Sequence, residues 1–95
     1  MTPPTYATAR AACVARYGEA TWSGCYASEW CRPSGKSVVL RSEPGALLLT
    51  TFPSPGARGD ERTLTRNGEV ITPLPDALGA ADAFLRTTAT ATKGP

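Results

Sequence analysis

The sequence predicts a small single α+β domain, in which an antiparallel sheet of three to five strands is flanked by an N-terminal and a C-terminal helix. Three observations predict it. Apolar residues recur at helical spacing near both ends of the chain. Two runs of consecutive apolar residues occupy its middle, and an Asn-Gly pair marks a further tight reversal. At 95 residues, the chain is long enough for one modest core.

The first helix is predicted over residues 4–17. Thr2 is a suitable N-cap, and the prolines that follow are tolerated in a first turn because the missing N–H has no partner there. Cys13 and Tyr17 belong to an apolar stripe at helical spacing. Gly18 then follows as a residue that readily ends a helix.

The segment after the helix, residues 21–36, contains both tryptophans of the chain, a tyrosine, an arginine and two of the three cysteines. Residues 19–26 fit either a strand or a bulged bend, because β-forming residues surround a Ser-Gly pair. Residues 28–34 are predicted to be a turn-rich connection, since Pro33 disfavours a helix at the residue before it.

The clearest strands are predicted within residues 37–52. Two apolar runs, 38–40 and 47–52, flank a reversal at Pro44-Gly45. Their apolar residues occupy consecutive positions instead of alternate ones. This pattern indicates a central pair of strands that is covered on both faces, or on one face by the domain and on the other by a partner.

A loop and a second hairpin are expected next. Residues 53–61 are rich in proline, glycine and charge, which is typical of a surface loop. Asn67-Gly68 is the strongest short turn signal in the chain, and a two-residue loop there sets Arg66 opposite Glu69. Because this hairpin is polar on average, we expect it at the edge of the sheet.

The second helix is predicted to begin with Asp76 as its cap. Leu78, Ala81 and Leu85 then form one apolar stripe. The residues that follow, 87–95, alternate threonine and alanine and are expected to form a flexible C-terminal tail of the single domain.

Composition restricts the classes of partner and the compartment. The net charge is only +2, and ten cations are interleaved with eight anions, which argues against a polyanionic partner. The N-terminus lacks the features of a signal peptide, and no apolar run reaches the length of a bilayer. An odd number of cysteines fits a reduced chain, so the sequence predicts a cytoplasmic protein without a membrane partner. The abundance of Ala, Gly, Pro and Arg indicates a GC-rich bacterium or one of its phages or mobile elements.

The sequence contains no recognisable catalytic or metal-binding constellation. It has no histidine, and three thiols cannot supply the four ligands of a structural zinc site. Gly35-Lys36-Ser37 resembles the end of a phosphate-binding loop but lacks the first glycine and precedes a strand. The carboxylates are scattered along the chain. We therefore expect no cofactor, no metal and no enzymatic activity, with a reversible Cys25–Cys31 disulfide left as an open alternative.

Candidate partner-binding residues lie in the aromatic segment. Trp, Tyr and Arg carry much of the binding energy at protein interfaces, and this segment holds all three types. One tryptophan, Trp22 by preference, is expected to fill the alanine-rich core, whereas Trp30 is compatible with core or surface. The predicted partner-binding set is Trp22, Tyr26, Trp30, Arg32 and Lys36.

These features favour a small non-enzymatic protein-binding regulator, such as an inhibitor, an adaptor or an accessory protein encoded by a phage or mobile element. Another protein is the expected partner. The apolar run 46–52 also allows a homodimer, through pairing of strands or of sheet faces.

A nucleic-acid-binding module is the alternative. The element order resembles that of double-stranded-RNA-binding domains in topology, but the second helix starts with acidic residues where those domains carry lysines. Such a function would require the fold to gather cations on one face. That face would consist of Arg10, Arg16, Arg32, Lys36 and Arg41.

Overall fold

The computed structural model describes residues 2–86, which form two helices and a six-stranded antiparallel sheet. The strands follow one another across the sheet in chain order. This confirms the α+β class, with one strand more than the predicted upper limit of five. The predicted tail, 87–95, lies outside the described residues. The elements are α1 (Tyr6–Tyr17), β1 (Trp22–Ser23), β2 (Ala27–Cys31), β3 (Ser37–Glu43), β4 (Ala46–Phe52), β5 (Asp60–Arg66), β6 (Glu69–Val70) and α2 (Leu74–Arg86).

Helix α1 begins two residues later than predicted because a capping box sets its start. The Thr5 hydroxyl accepts a hydrogen bond from the Thr8 backbone N–H at 3.2 Å, and the Thr8 hydroxyl accepts one from the Thr5 N–H at 2.8 Å. At the other end, Gly18 adopts φ 90° and donates its N–H to the Val14 carbonyl. The predicted glycine stop is therefore confirmed.

Strand β2 occupies most of the segment that was predicted to be a turn-rich connection. Its side chains alternate between the two faces of the sheet, and Ser28 and Trp30 are the buried ones. These two residues lie opposite Leu40 and Val38 of β3. Pro33 lies after the end of β2, in the turn that leads into β3, so its effect on the backbone does not reach the strand.

Strands β3 and β4 form the centre of the sheet, as predicted. Leu40 and Leu49 lie opposite each other and belong to the core beneath the helices, whereas Val39 and Leu48 alternate to the other face. The consecutive apolar residues therefore place side chains on both faces of the sheet, although the helices cover only one face. Because β4 is also hydrogen-bonded to β5, neither of its edges is open for pairing with a second chain.

The hairpin of β5 and β6 confirms the predicted turn. Arg66 lies opposite Glu69, and Asn67 and Gly68 adopt φ 52° and φ 83°. Positive φ at both central positions is the geometry of a type I′ turn, which matches the twist of the flanking strands. The hairpin also lies at the edge of the sheet, as expected.

Helix α2 starts two residues before the predicted cap, so that Asp76 lies in its first turn. The two helices run in the same direction. Thr8 and Leu74, near their N-terminal ends, line one groove, while Arg16 and Asp82, near their C-terminal ends, form a salt bridge of 2.9 Å. Two helix C-termini therefore meet at one end of the domain.

The core lies between these helices and the sheet. Its helical contribution consists largely of small side chains, whereas its strands contribute leucines, a valine and one indole ring. An alanine-rich core was expected from composition. The buried core residues are Ala9, Cys13, Trp30, Val38, Leu40, Leu47, Leu49, Leu64, Ala77, Leu78 and Ala81.

Candidate functional site

The predicted partner-binding residues lie in three separate regions. Trp22 and Tyr26 are on either side of the turn between β1 and β2. Trp30 is in the core. Arg32 and Lys36 lie beyond the other end of β2. At about 3.3 Å per residue, Tyr26 and Arg32 are roughly 20 Å apart along the strand. The predicted residues do not form one cluster.

The two tryptophans differ from expectation, since Trp30 and not Trp22 is the core residue. Trp30 is 2% exposed, and its indole Nε1 donates a hydrogen bond to the Gly18 carbonyl at 2.9 Å. Its ring centroid lies 6.4 Å from that of Tyr17. Trp22 is 57% exposed because it stands on a two-residue strand at the edge of the sheet.

Trp22, Tyr26 and the turn between them are termed the hairpin surface. The Trp22 ring lies against Gly24, where a Cβ atom would be 3.1 Å from the ring. Tyr26 is 73% exposed, while its backbone carbonyl accepts a hydrogen bond from the Ser42 N–H at 2.7 Å. The backbone at this position is held by β3, and the phenol ring projects into solvent.

A chain of hydrogen bonds fastens the hairpin surface to helix α1. The Tyr6 hydroxyl donates to the Gly24 carbonyl at 2.9 Å, so it accepts from the Ser28 hydroxyl at 2.6 Å. Ser23 then donates to Ser28 at 2.9 Å, and Arg10 Nε donates to Ser23 at 2.9 Å. Each hydroxyl in the chain both donates and accepts, which orders the turn on the helix.

A second surface, the arginine cleft, lies at the C-terminal ends of the helices. It is a depression of about 320 Å³ lined by Arg16, Tyr17, Arg32, Asp82, Leu85 and Arg86. The Arg32 guanidinium lies 5.5 Å from the centroid of the Tyr17 ring. Burial, and next a hydrogen bond with Asp82, raise the pKa of Tyr17.

The basic face predicted for a nucleic-acid-binding module is only partly assembled. Arg16 and Arg32 come together in the arginine cleft, where Arg86 joins them. Arg10 is instead at the hairpin surface. Arg41 lies on the sheet face opposite the helices, where it forms a salt bridge with Glu61 at 2.7 Å. Sequence reasoning missed Arg86, whose only signal was its place in the last turn of a predicted helix.

Lys36 is held against the end of helix α2. Its Nζ donates a hydrogen bond to the Phe84 carbonyl at 2.8 Å and lies 5.0 Å from the centroid of the Phe84 ring. Carbonyls in the last turn of a helix have no partner within the helix, and a cation there also interacts favourably with the helix dipole. Lys36 therefore has a structural contact that the sequence did not predict.

None of the three cysteines forms a disulfide, and the fold separates Cys25 from Cys31 too far for the disulfide that the sequence left open. Cys31 is the last residue of β2 and Cys25 lies in the bend before the strand. The strand alone spans roughly 13 Å, whereas a disulfide needs Cα atoms closer than about 7 Å. Within residues 2–86, no group of three His, Cys, Asp or Glu side chains could hold a metal ion.

An apolar groove that the sequence did not predict lies at the N-terminal ends of the helices. It has a volume of about 680 Å³. It lies beside the edge strand β6, and Ile71 just after this strand is 55% exposed. The groove is lined by Thr2, Pro3, Pro4, Thr8, Val70, Pro73, Leu74 and Pro75.

Comparisons of the chain with known protein families, curated proteins and solved structures found no match. Neither helix in residues 2–86 has both the length and the apolar character needed to cross a membrane.

Proposed function

We propose that this chain is a small non-enzymatic protein-binding regulator, an inhibitor, adaptor or accessory protein that contacts its partner through the hairpin surface. The observation that carries the proposal is the exposure of two large aromatic rings, 57% for Trp22 and 73% for Tyr26. Its encoding by a phage or mobile element and its cytoplasmic location belong to the same proposal, on the composition and the odd cysteine count.

Exposed aromatic rings at a rigid turn are well suited to binding. Tryptophan and tyrosine are enriched among the residues that dominate interface energies, and truncating such an anchor costs about 2 kcal/mol or more. The hydrogen bonds from Tyr6 to Gly24 and from Arg10 to Ser23 hold the turn in place before binding. Preorganisation of this kind reduces the entropy lost when a complex forms.

The test is affinity capture of the partner from the host lysate, with Trp22→Ala and Tyr26→Ala compared with the unmodified protein. Each substitution is expected to reduce the captured partner by at least about tenfold. Ile71→Ala is the matched control, since Ile71 is 55% exposed and follows the strand at the opposite edge of the sheet.

Far-UV circular dichroism of each variant checks that the fold is retained. Capture that persists undiminished in the Trp22→Ala, Tyr26→Ala double variant would place the interface elsewhere. Equal loss in the Ile71→Ala control would contradict the assignment to the hairpin surface as well.

A further inference from the structure

The arginine cleft contains more positive charge than its own residues neutralise. Arg16, Arg32 and Arg86 line it, and Asp82 is the only carboxylate lining it in the described part of the chain. Asp82 already forms a salt bridge with Arg16 at 2.9 Å. Three guanidinium groups and one carboxylate leave a net charge of +2 at the cleft.

The negative ends of the two helix dipoles offset only part of this positive charge. Helix α1 ends at Tyr17 and α2 at Arg86, and each C-terminus carries a partial charge of about −0.5. Together they offset about one of the two excess positive charges. Lys36 beside the cleft already caps α2 through the Phe84 carbonyl. The stability of the helices therefore does not require all of the arginines.

The side chains of Arg32 and Arg86 have N–H donors that are available to a ligand. In residues 2–86, neither Arg32 nor Arg86 forms a salt bridge. The Arg32 guanidinium lies over the Tyr17 ring, 5.5 Å from its centroid, in a contact that does not use its N–H donors. A planar fork of this kind matches the two oxygens of a carboxylate.

We propose that the arginine cleft binds carboxylate side chains of an acidic segment in a protein partner. Tyr17 and Leu85 provide apolar surface for the stems of such side chains, and about 320 Å³ accommodates one or two of them. A nucleic acid would bind along a longer stripe of basic residues. In this cleft the Asp82 carboxylate interrupts the positive charge. That the occupant is a protein rests on the proposed function, but the carboxylate chemistry of the cleft does not.

The test is titration of a hexaglutamate peptide into ¹⁵N-labelled protein at low salt, where charge interactions are least screened. Saturable shifts are expected for the backbone amides of Tyr17, Arg32 and Arg86. Arg32→Ala and Arg86→Ala should each raise the Kd by about fivefold. Arg66→Ala removes the same charge from the distant β5–β6 turn and should change the Kd by less than about twofold.

Several outcomes would overturn the proposal. These are the absence of saturable shifts, equal shifts with a hexaglutamine peptide, or an Arg66→Ala effect as large as that of Arg32→Ala. Tighter binding of inorganic phosphate or of a single-stranded oligonucleotide through the same arginines would assign the cleft to phosphate instead. Trp22→Ala should leave peptide binding unchanged, so failure here is separable from failure of the hairpin surface.

Discussion

Single residues decide which part of the aromatic segment is core and which is surface. Trp30 faces Val38 on a central strand, whereas Trp22 lies opposite Glu29 at the sheet edge. We expect Trp30→Phe to lower the free energy of unfolding by about 2 kcal/mol, because it removes the bond to the Gly18 carbonyl and part of a buried ring.

Urea unfolding followed by far-UV circular dichroism measures this change. A constant m-value shows that the variant and the unmodified protein expose the same surface on unfolding. Trp22→Phe is the matched control, and we expect it to change the free energy by less than about 0.5 kcal/mol. If both substitutions proved equally costly, the assignment of Trp30 as the core indole would be wrong.

At the scale of elements, helix α2 contains a glycine that lowers its stability. Gly79 lies within it, and a Cβ atom at that position would meet nothing within 4 Å. We expect Gly79→Ala to raise the free energy of unfolding by about 0.5–1 kcal/mol, because alanine loses less backbone entropy on entering a helix. Thermal unfolding should show a Tm higher by several degrees.

In the β5–β6 turn, the same glycine-to-alanine substitution is expected to have the opposite effect on stability. Gly68 has φ 83°, which an L-residue adopts only with strain, so Gly68→Ala should lower the Tm. A Tm that rose in both variants, or fell in both, would show that side-chain volume and not backbone conformation sets the response.

Elements fixed by local chemistry were predictable from the sequence, and those fixed by distant pairing were not. The Gly18 stop and the Asn67-Gly68 turn depend on residues within a few positions of one another. Strand β2 depends on its register with β3, which no local pattern contains. The arginine cleft likewise joins two helix ends to a loop, so only Arg32 of its lining was among the predicted partner-binding residues.

At the scale of the whole molecule, two titratable groups of α1 lie between the helices and the sheet. Cys13 is fully buried, and burial raises the pKa of its thiol from 9.0 to about 11. Burial likewise raises the pKa of Tyr17, and a hydrogen bond with Asp82 adds to the effect. The folded protein therefore keeps these protons at a pH where the unfolded chain has released them.

Because the unfolded state then binds fewer protons than the folded state, the free energy of unfolding should fall as the pH rises above about 9. Each group contributes at most about 1.4 kcal/mol per pH unit, and the Cys13 contribution is complete when the pH passes about 11. Urea midpoints measured across this range should decline steadily. In Cys13→Ala the decline should be shallower, since only Tyr17 of this pair still titrates there. An equally steep decline in that variant would show that the buried thiol does not govern alkaline stability.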